Sequence, residues 1–136
     1  MAATTATGNM KVNMNQEKIK TYKKNLGRLL KANQLPKMEL NGRYRESYKK
    51  LKCEVKEQTQ EIIKIICFDG FQYKEGIYED INNILRENTV YKILNNVYSI
   101  CWYPDYDRVE STALELREHV IKRLGEIGWH YTEFMI

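Results

Sequence analysis

The residues of this chain best placed to do chemistry are cations, and they are bunched. Lys18, Lys20, Lys23, Lys24, Arg28, Lys31, Lys37, Arg43, Arg45, Lys49, Lys50 and Lys52 all fall within 35 residues. Rows of Lys and Arg on helices can follow a phosphate backbone, because each contact releases condensed counterions and gives affinity independent of sequence. Tyr44 and Tyr48 are interleaved with Arg43, Arg45 and Lys49, and exposed aromatic rings at such a place stack on bases. The nucleic-acid-binding residues expected from this pattern are Lys20, Lys23, Lys24, Arg28, Lys31, Arg43, Arg45, Lys49 and Lys50. The competing reading is a solvated lysine-rich face with the tyrosines turned into the core.

Other constellations are sparser. Glu115 and His119 lie four residues apart, on one face of a helix. They lack the third ligand that a structural or catalytic metal site needs, so a surface ion pair is the simpler reading and no metal is expected. Asp105 and Asp107 resemble a fragment of a calcium loop, but no glycine follows in place and Glu110 is out of register. Cys53, beside Lys50, Lys52 and Lys56, is the only thiol with cations close by on both sides in sequence, yet no His, Asn or Asp is spaced as its partner. No G-x-G-x-x-G or G-x-x-x-x-G-K run is present, so no nucleotide loop and no cofactor are expected. The chain reads as a non-enzyme. Signatures of homeodomains, double-stranded-RNA-binding domains and aromatic RNP motifs are also missing.

The elements that must carry these residues follow from apolar spacing. Ile19, Tyr22, Leu26, Leu29 and Leu30 form one stripe and predict a helix over 15–33 with Asn15 as its cap. At about 100° per residue, Lys20, Lys23, Lys24, Arg28 and Lys31 occupy its outer face. Tyr44, Tyr48, Leu51, Val55, Gln58, Ile62 and Ile65 keep a heptad phase and predict a helix over 42–67, about 39 Å long. Asn41-Gly42 starts it and Asp69-Gly70 stops it. A helix of that length must run through a bundle or pair with another chain, and Gln58 on its seam is a candidate register selector.

Three further helices are expected. The first covers 74–87, with Ile77, Tyr78, Ile81, Ile84 and Leu85 inward. The next covers 90–103 and, with few charges, is expected to be the most buried. The last is capped by Glu110 or Ser111, with Ala113, Leu116, Val120, Ile121, Leu124 and Ile127 inward. The end of the chain, Trp129 to Ile136, is apolar and aromatic where termini are usually polar. It either packs back as a short strand or plugs a groove on a partner.

The fold class predicted is therefore all-α, a bundle of about five helices with one long central helix in a single domain over 15–136. The alternative is α+β, with short strands near 62–68 and 129–135, since Ile62 to Phe68 is rich in β-branched residues. The small polar residues before 15 read as a disordered tail over 1–14 and as neither signal nor transit peptide. Three cysteines without close pairs point to a reducing compartment, and no apolar run is long enough to span a bilayer. A soluble intracellular protein of cytoplasm or nucleus, with no membrane partner, is expected.

Charge divides along the chain. Residues 1–64 hold 15 Lys/Arg against 6 Asp/Glu, and residues 65–136 hold 7 against 12. That asymmetry points to a charged partner or to self-association. The expected function is a small binding or regulatory subunit, basic helices on nucleic-acid phosphates and the C-terminal half on a protein partner or a second copy. The alternative is a pure protein-interaction module, an assembly subunit or inhibitor. Its interface is expected at Tyr48, Leu51, Val55, Gln58, Trp102, Trp129, Tyr131 and Phe134.

Overall fold

The computed structural model describes residues 2–36 and 42–136, with side chains from Met14 onward except that of Arg43. Its elements in order are α1 (Ala2–Asn33), α2 (Arg43–Cys67), α3 (Ile77–Leu85), α4 (Asn88–Tyr98), a 3-10 turn (Ser99–Cys101), α5 (Tyr106–Glu126) and a short α6 (Tyr131–Phe134). The chain is all-α. The five expected helices are present, with α6 in addition, and no strand occurs among the described residues. Residues 62–67 complete α2, so the strand reading of that segment falls: the heptad-like spacing outweighs β-branching. In the tail, a single antiparallel bridge between Phe71 and Met135 is all that resembles strand pairing. The backbone of 2–14, where composition predicts a tail, continues α1, and the helix runs through Asn15 without a cap.

Contacts divide the chain into two compact units. The first comprises residues 1–62 and 100–106, the second residues 63–99 and 107–136. The charge asymmetry follows this division. The first unit holds 14 Lys/Arg against 7 Asp/Glu and the second 8 against 11.

In the first unit α1 and α2 pair antiparallel. Tyr22, Asn25, Leu26 and Leu29 face Leu51, Val55, Thr59 and Ile62, all buried, and Ile100 and Cys101 close the same core. Polar rungs set the register. Lys18 Nζ lies 2.7 Å from Glu61. The Tyr22 hydroxyl lies 2.5 Å from that of Thr59. Asn25 Nδ2 donates to Gln58 Oε1 at 2.9 Å, and the Tyr48 hydroxyl donates to Asn33 Oδ1 at 2.5 Å. The expected stripes are corrected here. Asn25 is buried where Leu30 was expected, and Leu30 is exposed. On α2 the buried face drifts from the heptad seam onto Thr59 and Ile63, while Tyr44 is exposed and Gln58 half-buried. An α-helix advances 3.6 residues per turn, so a strict 3.5 phase slips off its buried face over seven turns.

In the second unit Ile63 and Cys67 at the end of α2 join α3, α4 and α5. The core is Ile77, Ile81, Ile84, Val90, Ile93, Val97, Val109, Ala113, Leu116, Val120 and Leu124, with Phe71 and Phe134. α2 ends before Gly70, whose φ of +81° is the left-handed conformation that suits glycine. Arg117 of α5 caps that end. Its guanidinium donates to the carbonyls of Ile66 (3.3 Å), Cys67 (3.2 Å) and Asp69 (2.5 Å), and it lies 5.4 Å from the Phe71 ring. The tail folds back on the same loop. Gln72 N–H donates to the Phe134 carbonyl at 2.5 Å and Ile136 N–H to the Gly70 carbonyl at 2.7 Å.

Three expectations fail in this unit. α3 is shorter than 74–87 and Tyr78, expected inward, is exposed, because it lies one position off the buried Ile77, Ile81 and Ile84 face. α4 is not the most buried helix: it stops at Tyr98, buries only Val90, Ile93 and Val97, and leaves Tyr91 and Tyr98 exposed. Tyrosines seven apart share a face, and here that face is the solvated one. α5 begins at Tyr106, a turn before the expected caps, and Ile127 is exposed while Ile121 is half-buried.

Candidate nucleic-acid interface

The candidate site lies within the first unit and is organised by Asn33, the last residue of α1. Its side-chain amide donates to the Cys101 carbonyl at 2.9 Å and, at a longer 3.5 Å, to that of Trp102, while its Oδ1 accepts from Tyr48. One polar side chain thus ties the end of α1, the start of α2 and the segment 100–106. Ile100 and Cys101 are buried, so the following residues are held at the surface: Trp102 is 69% exposed and Tyr103 74% exposed.

Cations flank this segment on both sides. Lys52 Nζ lies 5.0 Å from the Trp102 ring and 5.3 Å from the Tyr48 ring, within cation–π range of each. Lys23 of α1 lies 4.2 Å from the centroid of Tyr106, whose ring meets Tyr22 edge-on at 6.3 Å. The sequence of α2 supplies the rest. Arg45, Lys49, Lys52 and Lys56 step by 4, 3 and 4 residues and fall within an arc of about 60°. Glu46, Glu54, Glu57 and Glu61 occupy the other flank, an arc of about 80°, and Lys50 sits among them. Helix α2 therefore has a basic edge beside Trp102 and an acidic edge that reaches Lys18 through Glu61.

The expected phosphate-binding residues are not one surface. Lys20, Lys24 and Lys31 project directly away from the buried stripe of α1, with Arg28 turned further round. Lys23 alone of that set meets the 100–106 segment. Arg45 and Lys49 share the edge of Lys52, whereas Lys50 does not. The side chain of Arg43 lies outside the described residues. Among the described residues, no carboxylate lies within 4.0 Å of Lys20, Lys24, Arg28, Lys31, Arg45, Lys49 or Lys50. Lys52, Lys56, Tyr103 and Asn33 were not in the expected set. The 4-3-4 spacing of α2 is the signal that marks the two lysines, and the run of aromatics Tyr98, Trp102, Tyr103 and Tyr106 is the signal that marks Tyr103.

The expected protein-interface residues are largely absorbed by the chain itself. Leu51 and Val55 belong to the first core and Phe134 to the second, where it contacts Phe71 and Tyr131 rings. Trp129 is half-buried and donates its indole N–H to Asp80 at 2.7 Å. Tyr48 and Gln58 are half-buried and hydrogen-bonded across the α1–α2 pair. Only Trp102 and Tyr131 are exposed.

Elsewhere, His119 turns to Glu87 (3.2 Å), which also receives Arg123 at 2.9 Å; this pairing with Arg123 holds the Glu87 carboxyl below its ordinary range. Among the described residues no cluster of three potential metal ligands occurs. A shallow cavity of about 420 Å³ between α4 and α5 is lined by Lys92, Lys122, Glu115 and Glu118 among others, a mixture with no net preference of sign. The described cysteines are free thiols, Cys53 exposed and Cys67 and Cys101 buried. No described helix is long and apolar enough to cross a membrane. No protein-family model, curated protein or solved structure matches the chain.

Proposed function

We propose that the protein is a non-enzymatic binding subunit of the cell interior whose basic first unit contacts nucleic-acid phosphates. The observation that carries this reading is the grouping of Arg45, Lys49 and Lys52 on one edge of α2 beside the exposed Trp102 and Tyr103. Cations without carboxylate partners keep their full charge for an external polyanion. Further lysines on the outer face of α1 extend the positive field and favour encounter.

The second unit serves a protein partner or a second copy. Supporting this are Tyr73 and Tyr78, stacked at 4.7 Å and both exposed, with Tyr131 also exposed in the same unit. Tyrosine is enriched at protein interfaces. The pure interaction module built on the α2 seam is the weaker reading, because Leu51 and Val55 are spent on the internal core.

The test is anisotropy of labelled oligonucleotides at low and high salt, with a solution mass measurement beside it. Affinity is expected to fall with salt at a log–log slope of about 0.7–0.9 per phosphate neutralised. Absence of binding at low salt would overturn the proposal.

A further inference from the structure

We infer that the ligand of the first unit is single-stranded nucleic acid, with bases stacking on Trp102 and Tyr103. This rests on the nucleic-acid reading above and narrows it. A duplex keeps its bases stacked on one another, so it rewards rows of cations but leaves large exposed rings without a partner. A single strand offers the π-face of every base, and an aromatic platform beside a basic groove is the arrangement that captures it.

Trp102 and Tyr103 are adjacent, both more than two-thirds exposed, and follow two buried residues, Ile100 and Cys101. Asn33 Nδ2 donates to the Cys101 carbonyl at 2.9 Å and, at a longer 3.5 Å, to that of Trp102. These are the carbonyls of the two peptide bonds that flank Trp102, so the platform is anchored before ligand arrives. An anchored platform loses less freedom on binding than a mobile loop. Lys52 Nζ lies 5.0 Å over one face of the Trp102 ring, and Lys49 and Arg45 continue the same edge of α2, so positive charge for the backbone adjoins the ring that stacks. On α1, Lys23 over Tyr106 provides a cation at the other end of the segment.

The experiment compares a 12-nucleotide single strand with the duplex of the same sequence at low salt, using the full chain. Expected is tighter binding of the single strand by on the order of tenfold, with quenching of tryptophan fluorescence. Trp102→Ala should weaken single-strand binding by on the order of tenfold and duplex binding by much less. Trp102→Phe, which keeps a ring, should restore most of the affinity while abolishing the quench. Equal or tighter duplex binding, or a Trp102→Ala variant of unaltered single-strand affinity, would overturn this inference and leave phosphate contact standing. No binding of either form would overturn both.

Discussion

Tyr22 and Thr59 share a hydroxyl–hydroxyl hydrogen bond of 2.5 Å inside the first unit. The Thr59 proton is already committed, since Thr59 Oγ1 donates to the Val55 carbonyl at 2.6 Å. Tyr22 must therefore be the donor and Thr59 the acceptor. Thr59→Val strands a buried phenol proton and should cost about 1–3 kcal/mol, whereas Tyr22→Phe leaves Thr59 its donation and should cost about 0.5–1.5 kcal/mol. Denaturant melts of both variants and the double variant test this; equal single costs that add fully would contradict the assigned direction.

Alkaline pH should act on two buried groups. Burial pushes the Tyr22 phenol up to about 12 from 10.0. Burial also pushes the Cys67 thiol up to about 12 from 9.0, against the opposing Arg117 charge. Both groups remain neutral in the folded chain while their unfolded counterparts ionise. Stability is thus fully present below pH 9 and falls as pH rises, from about 9 for Cys67 and about 10 for Tyr22, until each folded group ionises. Tyr22→Phe and Cys67→Ala should each flatten the alkaline limb of a stability–pH profile, Tyr22 by on the order of 2 kcal/mol across its window.

Acid should act on Glu87. Its carboxyl is held below the ordinary value of 4.5, first by hydrogen bonding to Arg123 and then by His119. The stability it contributes is present above that value and is lost as pH falls through the depressed one. Glu87→Gln should make stability less steep in pH below 4.5; an unchanged acid limb would show the pair contributes nothing.

Arg117 should matter through geometry more than charge. Three carbonyls at the end of α2 share its guanidinium. All three bonds come from Nη1, so Arg117→Lys keeps the charge and a donor but loses the planar group that lies against the Phe71 ring and reaches Met135 through Nη2. It should recover only part of the loss of about 1.5–3 kcal/mol expected for Arg117→Ala. Hydrogen exchange should quicken at Gln72 and Ile136, whose amides depend on the same loop.

Neighbouring lysines of α2 should behave differently toward nucleic acid. Lys49 stands on the edge of Lys52 and Trp102, and Lys50 stands among the glutamates. Lys49→Glu is expected to weaken binding several-fold more than Lys50→Glu and to lower the salt slope by about 0.7–0.9. Equal effects would mean that net charge alone governs affinity.

Helix number, the stop at Asp69-Gly70 and the inward aliphatics of α3 and α5 were legible because apolar spacing and turn residues act locally. What escaped depends on a partner element. Asn25 and Thr59 are buried because each finds a hydrogen bond across the α1–α2 pair, which polarity alone would place in solvent. The end of α4 at Tyr98 is invisible in an apolar run, since residues 100–101 leave one core for another. At the site, the basic residues were legible but their division between two edges of α2 required knowing which face Thr59 and Val55 bury.

The first unit is discontinuous, and Asn33 waits on a carbonyl at residue 101. During synthesis the α1–α2 pair emerges well before the segment that completes its core. A chain ending at Ile62 lacks Ile100 and Cys101, so its paired helices carry an open apolar edge until residues 100–106 have emerged from the ribosome. A fragment 1–62 would inherit the same unfilled edge.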